Sequence, residues 1–340
     1  MYFASDNTSG LPAPILDAIT RANDGYVPGY GTDPFMDALR DRIRTIFEAP
    51  EAEVMLVTTG TAANALALAT LCPPWGAIYC HGLAHIEVDE CGAPEFYTGG
   101  AKLVHVGGAD GKIDAGALGD MLARSGRGVV HSVQPAALSL TNLSECGTRY
   151  AAQEIADRAW IALDHGLRVH LDGARFANAL VAEGCTPAEL SWRAGVDVLV
   201  LGGTKCGLMG VEAVIFFDPA PYWEAQLRRK RAGHLWSKHR FLSAQMLAWL
   251  EDDLWLGLAR HANAMAARLE AGLEGRLMFP RGGNMLFARL PRATHDALQA
   301  AGAQYFLWPD HQDDLAEVSV RLVTSWSTQP QDVDRFLDLV

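Results

Sequence analysis

The 340 residues carry a formal net charge of −12, with 49% hydrophobic and 20% charged residues. That length suggests two domains, or one large α/β unit with an appendage, and the composition is that of a chain that buries a core. The acidic balance argues against a polyanion partner, because phosphate backbones demand clustered Lys and Arg, and no uncharged apolar run reaches the roughly 18 residues of a membrane span. Six cysteines, Cys72, Cys80, Cys91, Cys146, Cys185 and Cys206, show no C-x-x-C spacing and are too sparse for a disulfide scaffold. Residues 1–6 lack the basic segment and apolar stretch of a secretory leader, so a reducing cytoplasm is the expected compartment.

In chain order, residues 14–23 predict a short helix within an opening rich in Gly, Pro, Asn and Asp. Gly29-Tyr30-Gly31-Thr32-Asp33-Pro34 reads as a rigid loop. Phe35, Leu39, Ile43, Ile46 and Phe47 stand at helical spacing and predict a helix over 35–47. Short apolar runs then predict strands at 54–57, 77–80, 103–106, 129–130, 169–171, 196–201 and 214–217, with a helix at 63–71 after the first. Strands alternating with helical patterns predict a mostly parallel sheet covered on both faces. The single dense basic run, Arg228-Arg229-Lys230-Arg231, reads either as a solvated helix face or as an anion contact at a subunit interface. Beyond Trp236 the texture changes. A helical pattern covers 241–273 with no strong breaker before Gly257, strands follow at 284–290, 303–308 and 318–323, and a helix at 332–339 closes the chain. This α+β tail predicts a smaller second domain.

Two buried strands end in chemistry. His170-Leu171-Asp172-Gly173-Ala174-Arg175 puts a carboxylate at a strand tip, and Val198-Leu199-Val200-Leu201-Gly202-Gly203-Thr204-Lys205 turns through two glycines to a lysine. Asp172 and Lys205 are 33 residues apart, about one helix plus one strand, so both are expected at the carboxyl edge where open parallel sheets bind ligands. Pyridoxal 5′-phosphate (PLP) needs such a pair. The lysine amine forms a Schiff base with the cofactor aldehyde, and the carboxylate keeps the pyridine nitrogen protonated so that the ring is an electron sink. The alternative is a salt bridge at the edge of the core with no cofactor. The two glycines favour the cofactor, since they imply close backbone approach to something.

Thr58-Thr59-Gly60-Thr61-Ala62-Ala63-Asn64 lies between a strand and an alanine-rich helix and offers backbone N–H groups to an anion. It has neither a Walker Gly-Lys-Ser/Thr nor a G-x-G-x-x-G, so a small phosphate fits better than a dinucleotide, although an ordinary strand–helix turn reads the same way. His81 and His85 are four residues apart, but Gly82 stands where the zincin pattern has Glu, and no metal is expected. His85 reads either as a hydrogen-bonded core histidine or, preferably, as a ring stacked on a cofactor.

These segments resemble the low-specificity L-threonine aldolases, within the aspartate-aminotransferase-like (fold type I) PLP enzymes. The resemblance covers nearly the whole chain. It runs from Phe3-Ala4-Ser5-Asp6-Asn7 and Tyr30-Gly31-Thr32-Asp33-Pro34 through His85-Ile86-Glu87-Val88-Asp89-Glu90-Cys91-Gly92-Ala93-Pro94-Glu95. It continues through Leu171-Asp172-Gly173-Ala174-Arg175 and Gly203-Thr204-Lys205 to Val320-Arg321-Leu322-Val323-Thr324-Ser325-Trp326. It implies a large PLP-binding α/β domain over 12–245 and a small α+β domain over 246–340, with 1–11 packing near the latter. The implied reaction is cleavage of β-hydroxy-α-amino acids (threonine, allo-threonine or β-aryl analogues) to glycine and an aldehyde.

The resemblance also implies roles. Lys205 carries the cofactor, Asp172 binds the ring nitrogen, Gly60, Thr61 and Ala62 hold the phosphate, and His85 stacks on the ring. Ser5, Arg175 and Arg321 bind the substrate carboxylate, with Arg175 also bordering the cofactor. His131 falls where the family has a histidine near the β-hydroxyl, so His85 and His131 are the candidates for its proton. Tyr30 reaches an active site across a subunit boundary, and Lys230 or Lys238 touches a neighbouring phosphate. The implied assembly is a homotetramer of dimers with active sites at the interface. One departure stands out: Thr141-Asn142-Leu143 occupies a segment near the cofactor ring where relatives often have Gln or Glu. The rival readings are another PLP reaction (β-elimination, transamination or racemisation) and a non-catalytic scaffold.

Overall fold

In the computed structural model, which describes residues 1–309, 312 and 315–340, the short apolar runs pair into a seven-stranded sheet. Its strands in chain order are β1 (Glu53–Val57), β2 (Gly76–His81), β3 (Lys102–Val106), β4 (Gln134–Thr141), β5 (Arg168–Gly173), β6 (Val198–Gly202) and β7 (Glu212–Phe216). Their spatial order is β1-β7-β6-β5-β4-β2-β3, and β7 alone runs against its neighbours. Every residue of β6 and β7 is buried, as a sheet covered on both faces requires. Helix Gly60–Leu71 buries all of Ala62 to Ala69, because it is apolar all round and runs through the core rather than over it.

A second sheet, β8 (Met285–Pro291), β9 (Phe306–Leu307) and β10 (Glu317–Val323), is antiparallel in the order β8-β10-β9. The two sheets have separate apolar cores. Leu242, Trp249, Trp255 and Ala259 pack with the large one, while Phe3, Met265, Ala266 and Leu269 pack with Leu286, Val320 and Phe336 in the small one. The packing therefore passes from one core to the other within helix Leu254–Gly272.

Three expectations are corrected. Residues 129–130 form an exposed turn, and the strand begins only at Gln134; two apolar residues alone do not specify a strand. The long helical pattern is broken at Glu251–Asp253, where Asp252 and Asp253 take φ of 49° and 54°, and it runs unbroken through Gly257. Short polar side chains such as Asp tolerate that left-handed backbone. Of 303–308, only Phe306–Leu307 form ladder pairs. Among the described residues no helix is long and apolar enough to cross a membrane.

Candidate active site

Five segments leave the carboxyl ends of β1, β2, β4, β5 and β6, all at the same edge of the sheet, and converge on a cavity of about 510 Å³. β1 delivers Thr58 to Thr61, β2 leads to His85, β4 to Thr141, Leu143 and Glu145, β5 to Asp172 and Arg175, and β6 to Lys205. The antiparallel strand β7 adds Glu212, and the small domain adds Phe287 from β8 and Arg321 from β10. Ser5 and Asn7 close the wall from the N-terminal segment.

The glycines before Lys205 have a structural reason of their own. A Cβ on Gly202 would lie 2.6 Å from the Ala174 backbone, and one on Gly203 would lie 2.6 Å from the Val211 carbonyl. The close approach expected from the sequence is thus to the chain itself, where β5 and β6 pack and where the loop after Lys205 folds back. The turn is further held by Glu212, which accepts the Gly203 N–H at 2.8 Å and the Thr204 hydroxyl at 2.5 Å. Burial pushes the Glu212 carboxyl up to about 7. Burial also pulls the Lys205 amine below the usual lysine range, assisted by the charge of Arg175. A lysine so placed keeps a larger share of free amine, the form that attacks an aldehyde.

Asp172 is buried and fixed on both oxygens. Oδ1 accepts the Ala174 N–H at 2.9 Å and Oδ2 accepts Asn64 Nδ2 at 2.9 Å. Asn64 Nδ2 also donates to Glu90 Oε1 at 2.8 Å, and that oxygen meets His85 Nδ1 at 2.8 Å. The hydrogen bond from Glu90 raises the His85 imidazole above its ordinary value, against the opposing effect of burial. Arg175 is tied to Asp6 by two bonds, Nε to Oδ2 at 2.8 Å and Nη2 to Oδ1 at 3.0 Å. Arg321 Nη2 donates to the Ala4 carbonyl at 3.2 Å, with the guanidinium 5.1 Å from the Phe306 ring centre.

The beta-eliminating lyase family matches residues 2–281. Over 99% of this chain and 95% of the relative, the sequence is 40% identical to a low specificity L-threonine aldolase of Pseudomonas aeruginosa. The chain belongs to the beta-eliminating lyase family. A second relative, the low specificity L-threonine aldolase of a Pseudomonas species, is 38% identical over 96% of this chain and 93% of its own length. A solved Leishmania major threonine aldolase superposes with a TM-score of 0.93 at 32% identity, covering 99% of this chain and 98% of that one. A serine palmitoyltransferase of Sphingomonas wittichii, 15% identical with a TM-score of 0.71 over 100% of this chain and 86% of its own, shares the fold. The resemblance read from the sequence and the PLP fold type I architecture are both borne out by these matches.

Against this beta-eliminating lyase fold, the structure brings Lys205, Asp172, His85, Arg175, Arg321, Ser5, Gly60 and Thr61 to one cavity. Ala62 is not in its wall. It is buried, and its N–H is taken by Thr59 Oγ1 at 3.1 Å, the helix N-cap. His131 requires a correction. It is exposed in the turn before β4 begins, at the amino end of a parallel strand, while the cavity lies at the carboxyl ends. Tyr30 is half exposed outside this cavity, in the left-handed region at φ 58°, with Lys230 Nζ 5.0 Å from its ring centre. In the basic run, Arg229 is buried against the Leu56 carbonyl and Arg228 pairs with Glu224, so the run is not a uniformly solvated face.

Sequence reasoning gave no role to Asp6, Asn64, Glu90, Glu145 or Glu212. Asp6 and Glu90 stand inside the segments that carry the family resemblance, and Asn64 inside the helix-start motif. Glu145 and Glu212 carry no local signal, because only the fold shows that they face the cavity.

Proposed function

We propose that this chain is a PLP-dependent aldolase that cleaves L-threonine, L-allo-threonine and related β-hydroxy-α-amino acids to glycine and an aldehyde. The observation that carries the reading is the meeting of Lys205, Asp172, two arginines and a helix N-terminus in one cavity. The residues present fit the cofactor. A Cβ on Gly60 would meet nothing within 4 Å, and the N–H groups of Gly60 and Thr61 open helix Gly60–Leu71 without acceptors from its first turn, a ready cradle for a phosphate. The amine of Lys205 lacks a salt-bridge partner among the described residues, which leaves it for a covalent link. Asp172 supplies a fixed carboxylate for a ring nitrogen, and His85, anchored through Glu90, supplies a flat ring beside it.

When bound, PLP supplies the ring that accepts the electron pair of the breaking Cα–Cβ bond. The chain does the rest. Arg321 and Arg175 bind the substrate carboxylate, for which a planar guanidinium is matched. Asp6 occupies Nε and Nη2 of Arg175, which locks its plane and leaves Nη1 for the substrate. Lys205, held partly as free amine, moves the proton at Cα. The same reading includes a homotetramer of dimers, with Tyr30 and either Lys230 or Lys238 reaching a neighbouring site, and a cytoplasmic location, supported by six free cysteines. Incubation with a panel of β-hydroxy-α-amino acids tests the reaction. Equal yields of glycine and aldehyde are expected, whereas ammonia with a keto acid identifies a different PLP reaction.

A further inference from the structure

With His131 at the far edge of the sheet, His85 is the histidine left for the proton of the substrate β-hydroxyl, but its Nδ1 is engaged by Glu90 at 2.8 Å and that bond favours the charged imidazole, which accepts no further proton. Six carboxylates border the cavity or its wall, and one of them, Asp89, is exposed to solvent. Of the other five, Asp6 is engaged on both oxygens by Arg175 and Asn284, Asp172 by Ala174 and Asn64, and Glu212 by Gly203 and Thr204, while Glu90 is held on Oε1 alone by His85 and Asn64 and keeps its unpartnered Oε2 buried behind the cavity lining. Glu145 differs. Its Oε1 accepts the backbone N–H of His85 at 2.8 Å, and its Oε2 has no hydrogen-bond partner among the described residues while the side chain lines the cavity. That one bond ties it to the residue whose ring borders the cofactor space.

The segment that presents Glu145 is rigid. Beyond the end of β4, the Asn142 N–H donates to the Asp172 carbonyl at 2.9 Å, and the Asn142 side chain bonds Tyr150 at both its N–H and its carbonyl. A tight turn follows, closed by Ser144 N–H to the Thr148 carbonyl at 2.9 Å and by hydroxyl contacts to the Asp110 carbonyl. A side chain on such a turn is preorganised before substrate arrives.

We propose that Glu145 is the catalytic base that takes the β-hydroxyl proton, an inference that rests on the aldol cleavage proposed above. The substrate O–H bond breaks and its proton goes to Glu145 Oε2. The oxygen electrons form the aldehyde C=O as the Cα–Cβ pair is left on Cα. Cα later gains one proton, equal to the one removed from oxygen, so no oxidant, reductant or co-reactant is needed. Burial and the charge of Asp172 push the Glu145 carboxyl up to about 7, while His85, Lys205 and Arg175 pull it down, so it is poised for transfer at neutral pH. Tyr150 and Cys146 lie next to it and feel its charge.

The test uses Glu145→Gln, which keeps an acceptor for the His85 N–H. The expected result is a loss in kcat for threonine cleavage of at least ~100-fold and loss of the acid limb of the pH–rate profile, the scale of a removed general base. Cofactor retention and solvent-deuterium exchange at Cα of glycine should stay at wild-type levels, because neither step needs a β-hydroxyl. In the chain before cofactor is added, infrared difference spectra should show a carboxyl that protonates between neutral and mildly acidic pH and is missing from the variant. Glu145→Asp should restore part of the acid limb, which a purely structural role would not do. Wild-type cleavage accompanied by near-wild-type cleavage in Glu145→Gln overturns this inference alone. Absence of cleavage by the wild type overturns the proposed function, and this inference with it.

Discussion

Asp6 and Arg175 form the most deeply buried ion pair at the site, with side-chain exposures of 0% and 12%. Asp6→Asn keeps the shape and one acceptor oxygen but removes the charge that compensates the guanidinium. Breaking a buried pair from one side costs about 3–5 kcal/mol, since a charge is left without its partner. The lower end applies here, because Glu145 and Asp172 also stabilise the charged Arg175. An unfolding entropy of about 2.1 cal/mol/K per residue gives roughly 0.7 kcal/mol/K for a chain of this size, so a loss of ~3 kcal/mol lowers Tm by about 4 °C. The pH dependence has a definite sign. Burial alone would raise the Asp6 carboxyl, but the charges of Arg175 and Lys205 and the hydrogen bonds from Arg175 and Asn284 outweigh it and hold the carboxyl below its ordinary value. Such a group contributes stability above the unfolded value of ~3.9, and the contribution is lost as pH falls through the lower folded value. Thermal unfolding of the wild type and Asp6→Asn at matched cofactor saturation should therefore differ at neutral pH and converge in acid. A Tm difference below about 1 °C at neutral pH, or a gap that widens in acid, would refute the reasoning.

Three further outcomes follow from the geometry. Asp172→Asn should retain the cofactor yet lose roughly ten- to a hundred-fold or more in turnover, because a charged hydrogen bond contributes about 1.5–3 kcal/mol; steady-state kinetics with near-wild-type rates would remove Asp172 from that role. Arg321→Ala should weaken glycine binding by roughly ten-fold or more, on the same scale for a charged hydrogen bond, with cofactor affinity little changed; spectral titration with glycine reads both. His131→Asn should leave the cofactor spectrum, kcat/KM and threo/erythro selectivity as in the wild type, and altered selectivity would contradict its placement at the far edge of the sheet.

The sheet and the site were legible in the sequence where buried runs met punctuation. β5 and β6 read clearly because apolar residues run straight into Asp-Gly and Gly-Gly, and parallel strands buried on both faces leave no polar alternation to confuse the pattern. β4 was harder. Its Gln134, Pro135 and Ser139 interrupt the apolar run, and the neighbouring valines 129 and 130 supplied a false signal. The break at Glu251–Asp253 was hidden because it contains neither Gly nor Pro. At the candidate site, the residues with a motif around them, Lys205 and Asp172 among them, are ones that the fold brings to one cavity. Glu145 and Glu212 were missed because their significance lies in burial and in partners distant along the chain, which no local pattern encodes. His131 was misplaced for the complementary reason, since a plausible residue type close to the right strand can still sit at its wrong end.

The covalent seat of the cofactor is the central claim, and the chain offers few places for it. There are five lysines, Lys102, Lys112, Lys205, Lys230 and Lys238, and only Lys205 lines the cavity. Borohydride reduction of the PLP-loaded protein, followed by peptide mass mapping, fixes the cofactor to whichever lysine holds it. The account predicts one reduced pyridoxyl adduct per chain on the peptide that contains Lys205, and its loss in Lys205→Ala. An adduct on any of the other four lysines, or none after loading, would contradict it.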